Sequence, residues 1–470
     1  MKISQKILDR LKTIVGVNNY LVDEFKTTPY LQDWEKKYSG KSPIILKPDS
    51  TKKLSQLMLV CNEYGIGVVP QGGNTGLVGG GIPSNSGFEI IVSMEKMNKV
   101  IDIDPENYTI TLEAGCILFD VQEAAKDADR MFPLSLASEG SCQIGGNLST
   151  NAGGTAVLKY GNMKDLVLGI EVVMPDGSII NQLKRLRKDN TGYDIKQLFL
   201  GSEGTLGIIT KAVLKLFPLS LQKSTSIVAT SDLSATINLF SRLRQLSGDS
   251  LTAVEYMDRA CLDLLIEKKG VDDLFKTKYK HYVLIEYSSS SVDQRLSSLM
   301  ETSLSQAFEE GLAVDAVISN SEAQSVNLWK LREILPEAIR SSEAFFSFDI
   351  SVPVSLVPDF IATATVACYS ISKLGIVSAF GHIGDGNIHF YFVKLTNESS
   401  TNFLSKRSII TSKIYDIVAE MEGSFSAEHG IGVLKKTELE NYKSKAEINL
   451  MRQIKNTLDP KNIMNPGKVL

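Results

Sequence analysis

Only four histidines occur in the 470 residues, and three of them, His382, His389 and His429, fall within fifty positions. Cysteine is scarce and dispersed. Cys61, Cys116, Cys142, Cys261 and Cys368 form no CxxC pair, which argues against a disulfide framework and reads as reduced thiols in a cytosolic environment. Lysine and arginine form no basic stripe, and the formal net charge is −4, so no nucleic-acid partner is expected. Long hydrophobic runs are missing too. The most apolar one, FIATATVACYSIS, follows Asp359 and is too short to span a bilayer. At the N-terminus, Ile3, Ile7, Leu11 and Ile14 recur at helical intervals around Asp9, which predicts an amphipathic helix rather than a secretory signal. Together these features predict a cytoplasmic protein with no transmembrane segment.

What remains is the composition of a globular enzyme, 43% hydrophobic and 22% charged, with a length that implies two or three domains. An N-terminal helical segment occupies residues 1–42. From 43 to 218, short β-rich runs such as IGVVP and FEIIVSM alternate with helical stretches and glycine-rich loops. From 219 to 410 glycine thins out and longer amphipathic patterns alternate with strands such as HYVLIEY, which predicts a separate α+β domain. Residues 411–470 form a C-terminal segment.

The first domain holds three glycine loops, PQGGNTGLVGGG (70–81), SEGSCQIGGNLSTNAGGTAVLKYG (138–161) and GYDIKQLFLGSEGTLGIIT (192–210). Lacking a Cβ, glycine lets consecutive backbone N–H groups converge on an anion. No Lys-Ser/Thr follows the first loop and no GxGxxG opens a helix, so neither a Walker loop nor a Rossmann fingerprint is present. One such loop is commonly just a set of turns. Three in one domain suit an extended, phosphate-bearing ligand such as a dinucleotide.

The histidines sit in two more glycine-flanked stretches, GHIGDGNIHF (381–390) and SAEHGIG (426–432). The apolar alternation after Asn387 predicts a strand with His389 near its start and His382 on the preceding loop. Glu428 adds a carboxylate beside His429. A lone histidine is usually a packed or loop residue, but two imidazoles and a carboxylate suit a zinc or manganese ion with positions left open.

These motifs, in this order and with a terminal NPGKVL, resemble the FAD-linked D-2-hydroxyacid dehydrogenases of the vanillyl-alcohol-oxidase-like superfamily, which include D-lactate, glycolate and D-2-hydroxyglutarate dehydrogenases. The resemblance covers about residues 30–470. It implies an α+β fold with a two-subdomain FAD-binding domain, an α+β cap, and a C-terminal segment returning to the FAD domain. It also implies that Gly72, Gly73, Asn74, Thr75 and Gly76 hold the FAD pyrophosphate. Gly140, Ser141, Gly145, Gly146, Asn151, Gly153 and Gly154 run along the flavin, Glu203, Gly207 and Ile208 lie toward the adenine, and Asn387 lies near the flavin. By the same resemblance His382, His389 and Glu428 bind the metal, His429 is the base, and Arg332 clamps the substrate carboxylate.

The implied reaction carries the hydroxyl proton to His429 and a hydride to flavin N5. No histidine precedes His281, and Cys142 reads as a small buried thiol, so the FAD is expected to be non-covalent. The 2-hydroxyglutarate branch places a lysine, an asparagine and a threonine where this chain has Ser347, Tyr391 and Pro336. That departure favours D-lactate over glycolate or D-2-hydroxyglutarate, because a second buried carboxylate would lack partners. An oxidase using O₂, a transferase of the alkylglycerone-phosphate synthase type, and a non-catalytic flavin subunit are the competing readings. The electron acceptor (a quinone, an electron-transfer flavoprotein or a partner subunit) and a homodimeric state stay open.

Overall fold

The computed structural model describes residues 3–292, 295–395 and 399–470. The chain divides into two compact units, one of residues 1–153, 161–219 and 428–470, the other of 154–160 and 220–427.

The first unit contains two larger sheets. In one, Ile45–Leu46, Glu89–Ser93 and Gly67–Gln71 run parallel, with Tyr20–Leu21 on the edge. The paired strands GVVPQ and EIIVS are apolar at their centres and nearly fully buried, as strands of a parallel sheet are. The helix Thr51–Tyr64 is capped by Ser50 and stops at Gly65 in the left-handed conformation. The second sheet is antiparallel, in the order Val100–Asp104, Thr109–Glu113, Ile208–Lys215, Val167–Val173, Ile179–Gln182. The C-terminal tail belongs to this unit. Met464 bridges Val68, whose amide donates to Ile463 O (2.7 Å) and whose carbonyl accepts from Asn465 (2.8 Å).

The second unit is built on a seven-stranded antiparallel sheet, in the order Asp315–Ile318, Gln222–Thr230, His281–Ser289, Leu251–Asp258, Gly375–His382, Asn387–Lys394, Phe345–Ser351. One face is covered by the helices Arg259–Lys269, Glu322–Glu333 and Leu335–Arg340, which bury Cys261, Leu265, Leu331 and Ile339 on Met257, Leu284 and Phe380. On the opposite face Ser226 meets Met300 of the helix Leu296–Glu309. Val354–Ile371 has the length and hydropathy of a minimal membrane span, and a third of it is buried. Here its helical part buries Val357, Phe360, Ala364 and Cys368 and packs on the helix Arg407–Glu420.

Asp258 ends one central strand. It caps the helix Arg259–Lys269 through Cys261 N (2.9 Å) and accepts from Ala379 N (2.7 Å) on the neighbouring strand. Burial pushes its carboxyl up from 3.8 to about 6. A raised acid is stabilised in its neutral form by folding, so its contribution falls as pH rises through that window. Asp258→Asn keeps a capping oxygen and removes the charge. Its melting temperature relative to the parent protein is expected to rise between pH 4 and pH 7, and a pH-independent difference would refute this.

Candidate active site

The three glycine loops of the first unit touch one another through backbone. A Cβ at Gly73 would lie 2.0 Å from Ser141 O, and one at Gly72 would lie 3.5 Å from Gln143 Oε1. Open space remains beside Gly76 and Gly140. Asn74, Asn151 and Glu203 take positive φ. Asn74 Nδ2 donates to Gln32 O (2.8 Å), Asn151 Oδ1 accepts from Lys164 N (2.9 Å), and Ser141 Oγ turns back to Ser138 O. Glu203 accepts from Ile431 N and Gly432 N (2.7 and 2.8 Å), while Gly207 and Ile208 enter a buried strand against Val172. Gly145 N donates to Ala114 O (2.7 Å), Gly146 lies in the helix Ile144–Ser149, and Gly153 and Gly154 are buried, Gly153 as the last residue of a first-unit segment and Gly154 as the first of a second-unit one. Thr75 is partly exposed.

These residues fit a flavin nucleotide. Gln143 Oε1 and Asn465 Oδ1 are buried acceptors with no protein partner among the described residues, at the edges of the first loop. Leaving such an acceptor unpaired costs about 1–3 kcal/mol, a cost that the N–H and O–H donors of FAD would offset. Asn465, whose Nδ2 joins Gly80 O (3.0 Å) to Glu203 O (2.8 Å), was not singled out from sequence. Cys142 is 2% exposed, and burial raises its thiol above the usual range, so it packs as an inert thiol.

In the second unit, strand register gathers the chemistry on one sheet face. Glu255 pairs with His382, Phe380 with His389, and His389 with Asp349. His382 is the last residue of its strand rather than a loop residue, and its ring centroid lies 5.6 Å from that of His389. Glu255, fully buried, accepts from His382 Nδ1 (2.6 Å) with one oxygen and from Arg332 Nε (2.7 Å) with the other. Burial alone would raise this carboxyl, but its pairing with His382 and Arg332 outweighs that and holds Glu255 below the usual range. Asp349 Oδ1 lies 3.7 Å from His389 Nδ1 and accepts from Asn387 Nδ2 (3.0 Å). Asn387 Oδ1 is buried with no partner among the described residues.

The second unit ends at Ala427, whose amide donates to Asp349 O (3.3 Å). His382 and His389 come together on this face of the second unit, whereas Glu428 and His429 belong to the first unit. The two imidazoles of this face, each with a carboxylate behind it, are donors of the kind that zinc and manganese take. Arg332 is 6% exposed, with its guanidinium 4.7 Å above the Phe380 ring, and Phe380 stacks on Tyr391 (5.6 Å, 6°). Sequence reading missed Glu255 and Asp349. The available signal was a carboxylate amid buried apolar strand residues, as in TAVEYM and FFSFDI.

Two glycine-loop sheets and a sheet face bearing imidazoles and a buried arginine define a flavoprotein oxidoreductase. The FAD binding domain family matches residues 42–182, and the C-terminal domain of FAD linked oxidases matches residues 221–469. The D-2-hydroxyglutarate dehydrogenase of Arabidopsis thaliana is 36% identical over 470 residues, 100% of this chain and 82% of that protein. That of Danio rerio is 37% identical over 93% of this chain and 80% of that protein. The D-2-hydroxyglutarate–pyruvate transhydrogenase of Saccharomyces cerevisiae is 36% identical over 93% of this chain and 88% of that protein.

Among solved structures, p-cresol methylhydroxylase aligns with a TM-score of 0.76 at 16% identity, covering 99% of this chain and 97% of that one. An alkyldihydroxyacetonephosphate synthase aligns at 0.75 and 18%, covering 99% and 86%. The fold is thus the α+β architecture of the vanillyl-alcohol-oxidase type. The chain belongs to the FAD-linked D-2-hydroxyacid dehydrogenases, oxidoreductases acting on a CH–OH group.

The expected cytoplasmic location is overturned, because the Arabidopsis, Danio rerio and Bos taurus relatives are mitochondrial proteins. All five cysteines are buried and free, which marks reduced thiols and does not separate one reducing compartment from another.

Gly73→Ala tests the loop packing. Its methyl has no room against Ser141 O, and overpacking of about 1–3 kcal/mol would weaken FAD binding roughly tenfold or more. The purified variant is expected to show a low ratio of 450 nm to 280 nm absorbance. Full flavin content with an unchanged melting temperature would refute this.

Proposed function

We propose that this enzyme oxidises a small or apolar D-2-hydroxy acid, D-lactate first and glycolate after it, to the 2-oxo acid. The observation that carries this is the aromatic stack beside Arg332. Phe380, Tyr391 and Phe345 follow one another at 5.6 and 6.0 Å, and Ser347 pairs with Tyr391 across the strands. Phe380 is buried while Phe345 and Tyr391 keep part of their surface, and none of the three is the cation that a second carboxylate would need.

Arg332 uses only Nε on Glu255, so its two terminal nitrogens can donate to the α-carboxylate as a fork. His382, His389 and Glu428 would hold a divalent cation, zinc or manganese. When bound, such a cation lowers the pKa of a coordinated hydroxyl. His429 takes the hydroxyl proton as general base, and Asp349 and Asn387 brace the His389 strand behind it. FAD, held non-covalently by the glycine loops, supplies the hydride acceptor. A quinone, an electron-transfer flavoprotein or a partner subunit would take the electrons from the reduced flavin.

A second reading, D-2-hydroxyglutarate, is favoured by the names of the relatives. Steady-state kinetics with an artificial acceptor separates the two. The expected kcat/KM for D-lactate exceeds that for D-2-hydroxyglutarate by about tenfold, the size of one unpaired buried carboxylate contact of some 1.4 kcal/mol. A preference for D-2-hydroxyglutarate would transfer the assignment to the second reading. Rapid peroxide formation under air would instead indicate an oxidase.

A further inference from the structure

Glu255 is the most deeply buried carboxylate on the reactive face, and no step above employs it. It sits mid-strand in Leu251–Asp258, directly across the ladder from His382, with no exposed surface. Its two oxygens serve different masters. Oε1 accepts from His382 Nδ1 at 2.6 Å, and Oε2 accepts from Arg332 Nε at 2.7 Å. An ionised carboxylate without solvent costs several kcal/mol unless both oxygens are paired with donors of opposite charge or strong polarity. Here both are.

The geometry has two consequences. A carboxylate accepts only, so the ring proton that His382 shares with Glu255 must reside on Nδ1, and Nε2 then carries the ring's lone pair, the form in which an imidazole binds a cation. By taking Nε rather than a terminal nitrogen, it also orients the guanidinium with its forked end directed away from the strand. Phe380 supports the same plane from beneath, 4.7 Å from the guanidinium carbon.

We infer that Glu255 is a positioning residue that couples cation binding to substrate anchoring, fixing the His382 tautomer with one oxygen and the Arg332 fork with the other. The inference rests on the proposed roles of His382 and Arg332. A neutral amide cannot replace this carboxylate, because its single oxygen accepts from one partner and its NH₂ group faces the other. Glu255→Gln therefore either drives His382 to the tautomer protonated on Nε2 or leaves Arg332 Nε unpaired. Glu255→Asp keeps the charge with a shorter reach and serves as the conservative variant.

The test uses flavin-loaded, full-length protein stripped with EDTA. Zinc and manganese affinities are measured by competition with a fluorescent chelator, and the His382 tautomer by ¹⁵N-histidine NMR, where only four imidazoles contribute. Glu255→Gln is expected to weaken metal binding about 10–100-fold and to shift the His382 tautomer. It should also raise KM for the 2-hydroxy acid at saturating metal while flavin content stays at the parent level, and Glu255→Asp should recover part of each. Metal affinity within about twofold of the parent, with an unchanged tautomer, would show that Glu255 only neutralises Arg332 and would overturn the inference. If Glu255→Gln does not fold, the same readouts on Glu255→Asp decide the matter. Parent protein that takes up no zinc or manganese, as His382→Ala does not, would overturn the cation reading itself along with the inference.

Discussion

The antiparallel register of four strands is the constraint on which the reactive face depends. Leu251–Asp258, Gly375–His382, Asn387–Lys394 and Phe345–Ser351 place Glu255, His382, His389 and Asp349 on one sheet face, in two neighbouring rows, because side chains alternate with period two. A slip of one residue would send all four to the opposite face. Two glycines guard the register where the strands turn. A Cβ at Gly381 would lie 2.5 Å from Asn387 O, and one at Gly386 would lie 2.0 Å from Val352 O. The face then carries polar groups that apolar strands could not otherwise accommodate, since His382 and His389 are each backed by a carboxylate and Glu255 also receives Arg332.

The flavin-binding unit solves a different problem, bringing backbone close to a large anion. Its loops approach so tightly that Gly73 and Ser141 leave no room for a methyl group, and the loop ends are knotted by side chains. Glu203 holds the amides of Ile431 and Gly432, and Asn465 holds the carbonyls of Gly80 and Glu203. Burial raises the Glu203 carboxyl above its ordinary value despite the two amides.

Much of this was legible in the sequence for physical reasons. Glycine clusters and rare histidines stand out because few other roles demand them, and their order carried the resemblance. Glu255, Asp349 and Asn465 were not legible. A glutamate inside TAVEYM looks like any alternating polar position until the cross-strand partner is known, and that partner is 127 residues away. Asn465 lay within a noted motif, but only the fold shows which carbonyls it reaches. His382 was expected on a loop because the glycines of GHIGDG suggested one, whereas pairing with Glu255 extends the strand through it. The compartment was misread because buried thiols report redox state alone.

The proposed function requires that imidazoles, assisted by a divalent cation, present a D-2-hydroxy acid to FAD. Anaerobic flavin bleaching near 450 nm tests it most directly, with D-lactate, L-lactate, glycolate and D-2-hydroxyglutarate in parallel, before and after EDTA and with zinc or manganese restored. The account predicts bleaching by D-lactate that EDTA abolishes and the cation restores, with no bleaching by L-lactate. Flavin-bound, cation-loaded protein that none of the four acids bleaches, or bleaching that persists unchanged after complete chelation, would contradict it.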